Sequence, residues 1–117
     1  MATLTPTLTL TSTDITSDEL SFSVTDSLTV SKAVIPPSRA ITSTSDLTLI
    51  PAATYTKAYV YLKNVDASIV INVDFGTQLS MALAPGEFAF FPWDSSGNIV
   101  VASASATPYI EYAVFEA

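Results

Sequence analysis

Apolar residues recur along this chain with a period of two. Leu8 and Leu10 alternate with threonines, Leu20, Phe22 and Val24 with serines, and Leu28, Val30 and Val34 with small or polar residues. Alternation puts successive side chains on opposite faces of an extended backbone, so each segment predicts a half-buried strand. The pattern continues through Leu47 and Leu49, through Ala58, Val60 and Leu62, through Ile69, Ile71, Val73 and Phe75, and through Leu79, Met81 and Leu83. Three further strands are expected at Phe88–Trp93, Ile99–Ala102 and Tyr109–Phe115. Turn residues separate the runs. Pro36-Pro37-Ser38-Arg39 predicts a connection, because two residues there lack a donor, and Asn64-Val65-Asp66, Gly76, Pro85-Gly86 and Asp94–Asn98 predict turns. Ser17–Leu20 has room for one helical turn, and no longer window carries a helical period.

Short strands with turn signals every eight to twelve residues or so predict an all-β fold, an antiparallel jelly-roll-like β-sandwich of about eight strands. A chain of 117 residues supports one core. Residues 14–117 are assigned to that sandwich. Residues 1–13 stand apart, because Thr occupies every odd position from Thr3 to Thr13. Two readings stay open for them: an ordinary first strand of the sandwich, or an arm whose Leu4, Leu8 and Leu10 fasten it to a neighbouring sheet by strand addition.

The stretch Leu83–Trp93, LAPGEFAFFPW, is aromatic on both faces of its strand. Phe88 and Phe90 point one way and Ala89, Phe91 and Trp93 the other. With Phe88 and Phe90 assigned to the core, Phe91 and Trp93 are expected in an oligomer interface, since exposed apolar patches mark contact surfaces. The alternative cover is a loop within residues 36–45.

Composition narrows the chemistry. Four Lys+Arg against eleven Asp+Glu give a net charge of −7, which repels phosphate backbones, so no nucleic-acid partner is expected. Histidine and cysteine are absent, removing the commonest general base, the commonest metal ligand and the thiol nucleophile. The carboxylates of Asp46, Asp66, Asp74, Glu87, Asp94, Glu111 and Glu116 are scattered over turns and edges, and read as solvated charges before they read as a glycosidase pair. Asp14, Asp18 and Glu19 are the best ion candidate but lack the spacing of a calcium loop. The three glycines each fall in a turn, so no phosphate-cradling loop is expected. We therefore expect no catalytic, cofactor or metal residues and no enzyme. No apolar run approaches a membrane span, and no membrane partner is expected. Tyr59 and Tyr61, flanked by Lys57 and Lys63, form a face with two readings: a partner-binding platform for sugars, or cross-strand packing of amphipathic side chains.

The series Tyr59–Asn64, Ile69-Val70-Ile71, Leu83–Phe88, Tyr109–Tyr112 and the end Phe115-Glu116-Ala117 resembles small jelly-roll virion proteins of tailed bacteriophages, over about the C-terminal half of the chain. The resemblance implies a head decoration or cement protein, made in the host cytoplasm and placed on the capsid exterior. Its implied partners are itself, as a homotrimer, and the major capsid protein. Related domains in fibres and tails imply an alternative, a tail-tip module that binds a host glycan. Neither a collagen-like nor a heptad segment is present to elongate a fibre.

Overall fold

The computed structural model describes residues 2–15, 17–75 and 79–117, with Leu79 and Ser80 as backbone only; the Gly76 turn lies outside the described residues. The described residues contain twelve strands and no helix. Eight of them form a sandwich of two four-stranded antiparallel sheets. One sheet has the order β10 (Phe88–Trp93), β7 (Ala58–Asn64), β12 (Tyr109–Glu116), β5 (Lys32–Ile41). The other has the order β6 (Leu47–Ile50), β11 (Ile99–Ser103), β8 (Ile71–Phe75), β9 (Leu79–Leu83). The first of these strands therefore pairs with the last, the second with the next to last, and so inward to the β8–β9 pair. This nesting is a jelly roll, one long hairpin rolled into two sheets.

Period-two patterning fixes the inner faces. In β7, Ala58, Val60, Leu62 and Asn64 are buried while Tyr59, Tyr61 and Lys63 between them are not. Ile71 and Val73 of β8, Ile99 and Val101 of β11, and Ile110 and Val114 of β12 complete a core of fully buried β-branched and leucine side chains. At 1.5–3 kcal/mol or so for each, such side chains are the main source of stability in a chain without disulfides.

Two local expectations are corrected. Pro36-Pro37 is not a connection: β5 runs through it and pairs with β12 from Tyr109↔Ile41 to Glu116↔Lys32. The register shifts twice there, leaving extra residues on β5, and β5 is a sheet edge, where a missing donor costs nothing in the ladder. Ser17 and Asp18 form bends instead of a helical turn.

The N-terminal region makes a separate structure. β1 (Ala2–Leu4) pairs with β4 (Leu28–Val30), and β2 (Thr7–Ser12) pairs with β3 (Leu20–Thr25). The register continues unbroken across Pro6, whose carbonyl accepts from the Asp26 amide at 3.2 Å, so the four segments make one long hairpin. Ser31 alone separates β4 from β5, and its amide donates to the Glu116 carbonyl at 2.8 Å. The hairpin thus grows directly out of the sandwich's β5 edge strand.

Candidate interaction surface

The hairpin sorts its side chains by parity. Pairing Leu4↔Leu28, Leu8↔Val24 and Leu10↔Phe22 gathers the apolar residues on one face, and Thr7↔Thr25, Thr9↔Ser23 and Thr11↔Ser21 fill the other with hydroxyls. Two of those pairs bond to each other, Thr7 to Thr25 and Thr9 to Ser23, each at 3.2 Å. At the base the apolar face is covered: Val30 is buried and Leu4 and Leu28 are half-buried. Beyond Pro6 it is open, with Leu8 at 41 %, Leu10 at 44 %, Phe22 at 48 % and Val24 at 53 % exposure.

The aromatic strand β10 divides its faces opposite to expectation. Ala89, Phe91 and Trp93 pair with Leu62, Val60 and Ala58, which are all buried, so Phe91 and Trp93 turn into the sandwich. Trp93 is 6 % exposed in the single chain and Phe91 packs edge-on against Phe75 at 5.1 Å. Trp93 thus offers little of the interface area expected of it, while Phe91 stays half-buried. The outward rings are Phe88, 60 % exposed, and Phe90, which stacks on Tyr59 at 6.3 Å. Both parities of the strand are apolar, so only pairing with β7 decides which one enters the core.

Phe88, Ala89 and Phe90 form one wall of a groove of about 570 Å³, and Pro6, Thr7, Leu8, Val24 and Asp26 of the hairpin form the other. A second cleft, about 740 Å³, opens between the two sheets beside Phe75, Met81, Phe91 and Trp93, with Lys57 and Asp94 at its mouth. It lies where edge strands β9 and β10 leave the sandwich unsealed.

The tyrosine face is held together internally. Tyr61 donates its hydroxyl to Glu111 at 2.9 Å, and burial followed by this bond and the Glu111 charge raises its pKa. Glu111 also faces Arg39 at 3.6 Å, while Lys57 sits 5.3 Å over the Tyr59 ring. Such contacts match cross-strand packing on an outer sheet face. Among the described residues no three acidic, His or Cys side chains gather closely enough to hold an ion. In the cluster read as an ion candidate, Asp14 instead accepts from the Ser12 hydroxyl at 3.0 Å.

The residues that sequence reasoning missed are Phe22 and Val24, partners of Leu10 and Leu8 on the apolar face. Their alternation with serine was visible; their pairing with the Thr-rich segment was the missing step.

The chain matches no protein-family profile, and no curated protein matches it. Among solved structures it is similar to a chain from Bacillus endospore appendages, described as a novel family of disulfide-linked pili, with a TM-score of 0.51 and 13 % identity over 75 % of this chain and 90 % of that one. At this identity the likeness is one of fold, a small antiparallel β-sandwich.

Proposed function

We propose that this chain is a structural assembly subunit on a particle surface, specifically a phage head decoration protein that forms a homotrimer and rests on the major capsid protein. One observation carries the reading: a jelly roll extends a two-stranded hairpin whose outer half keeps an apolar face in solvent. Assembly proteins require adhesive surface and durable packing, and both are present without any catalytic group being required. The appendage likeness supports the coarser part, since its description makes that protein a component of a pilus. That description also makes those pili disulfide-linked, whereas these 117 residues contain no cysteine and can form no such link themselves. The phage assignment draws on the resemblance of the C-terminal half.

Immunogold labelling of purified phage particles and of intact cells tests the reading. Gold on capsid heads is the expected result. Label confined to tails or fibres, or to cell-surface filaments, would overturn the decoration role, and label on no particle at all would overturn the structural role.

A further inference from the structure

We infer that the cleft between the two sheets is a binding site for a small organic cation, an ammonium group carried on an apolar body. The inference stands on the sandwich alone and does not depend on what particle the chain joins.

The cleft is held open from within. Phe75 comes from β8 of one sheet and Phe91 from β10 of the other, and their rings meet edge-on at 5.1 Å with planes 89° apart. Closing the cleft would break that contact, so the two rings prop the sheets apart on their unsealed side. Trp93, on the same face of β10 as Phe91, and Met81 of β9 extend the apolar wall. The volume of about 740 Å³ lies within the range of small-molecule sites, which are apolar with a few polar groups placed to orient the ligand. Here the polar groups gather at one end. Thr56 and Lys57 directly precede β7 and Asp94 directly follows β10, and the pairing of Ala58 with Trp93 brings those two segments side by side.

Charge selects the ligand. Among the described residues no Lys or Arg forms an ion pair with Asp94. The nearest cation in the lining, Lys57, places its ammonium 5.3 Å over the ring of Tyr59, which stacks on Phe90 at the outer face of the sheet. The Ser96 hydroxyl and then the Ser96 amide, at 3.0 Å, stabilise the Asp94 carboxylate, so it stays ionised and fixed at the cleft mouth. A fixed carboxylate beside an aromatic wall fits a ligand whose cation adjoins an apolar body, and the rings themselves attract a cation. The net charge of −7 turns anions away.

Probes that share one ring and differ in charge test the inference: phenethylamine, phenethyl alcohol and hydrocinnamate. The chain has a single tryptophan, Trp93, so one indole N–H resonance in a proton–nitrogen correlation spectrum reports on the cleft wall. Phenethylamine is expected to move that resonance saturably, with a Kd of roughly 1–10 mM for so small a probe. It should bind roughly two- to fivefold more tightly than the alcohol, the worth of an exposed ion pair, and hydrocinnamate should bind most weakly. Asp94→Asn keeps an oxygen that can accept from the Ser96 amide, and should bring amine and alcohol to equal affinity. Asp26→Asn removes a hairpin charge instead and should leave the preference intact. The ranking on the wild type needs no variant, so it decides the question even where Asp94→Asn disturbs the loop. No saturable shift with phenethylamine, hydrocinnamate binding as tightly as the amine, or a preference that survives Asp94→Asn would each overturn the inference.

Discussion

Asn64 ends β7 with 0 % exposure and ties the turn that follows it to the distant Leu83–Glu87 segment. Its Nδ2 donates to the carbonyls of Ile69 and Leu83, both at 2.8 Å, and its Oδ1 accepts from the Asp66 amide at 3.0 Å. Its main chain donates to the Glu87 carbonyl at 2.9 Å and accepts from Gly86 at 3.0 Å, closing the β9–β10 turn onto the end of β7. Asn64→Ala keeps the main-chain bonds and removes the three from the side chain. The bond to Leu83 is buried, so its carbonyl loses a partner that water cannot replace, at a cost of about 1–3 kcal/mol. The other two are only partly buried and contribute about 0.5–1 kcal/mol each. The expected loss is about 2–5 kcal/mol, a large part of the 5–15 kcal/mol or so available to a domain. Urea unfolding followed by Trp93 emission should show a lower midpoint at unchanged slope, because the surface exposed on unfolding hardly changes. Asn64→Asp should cost more near neutral pH, where a carboxylate would face two carbonyls, and recover partly in acid as the protonated group donates one bond. A loss below about 1 kcal/mol for Asn64→Ala would refute the view that this side chain ties the loops together.

Two pH effects follow from the surface carboxylates and Tyr61. Asp66 accepts from the amides of Ser68 at 2.9 Å and Ile69 at 2.8 Å, and these bonds lower its pKa from 3.8. A depressed folded value contributes stability above the ordinary one that is lost as pH falls through the folded one, so the urea midpoint should drop below about pH 3.8, and less steeply in Asp66→Asn. Asp94, lowered by the Ser96 hydroxyl and then its amide, adds to the same acid limb. Tyr61 has the opposite sign: its raised pKa contributes stability below the ordinary value of 10.0 that is lost as pH rises through the folded value. Phenolate absorbance should reveal at least one of the five tyrosines titrating late, earlier in Glu111→Gln, and a single transition identical in both proteins would contradict the Glu111 contact.

Strand character was legible residue by residue. Alternation in Ala58–Asn64 set both the extended backbone and the buried parity, because polar or amphipathic side chains on one side left a single choice of core face. The same rule carried the all-β sandwich, whose short runs and turn signals leave no competing period. It also described Leu8, Leu10, Phe22 and Val24 as half-apolar strands without saying what they pair with.

Tertiary structure decided the rest wherever local sequence was degenerate. In Phe88–Trp93 both parities are apolar, and the pairing of Phe91 with Val60 and Trp93 with Ala58 made the inward choice that alternation could not. Pro36-Pro37 reads locally as a break, yet an edge position and a bulge absorb it, and being an edge is a property of the whole sheet. The Thr-rich segment became an amphipathic hairpin only through a register that joins residues as far apart as Ala2 and Val30. Period two is written in neighbouring residues and so can be read from the sequence. Pairing and edge position are set by contacts between residues far apart in the chain, and those are fixed only when the whole core closes.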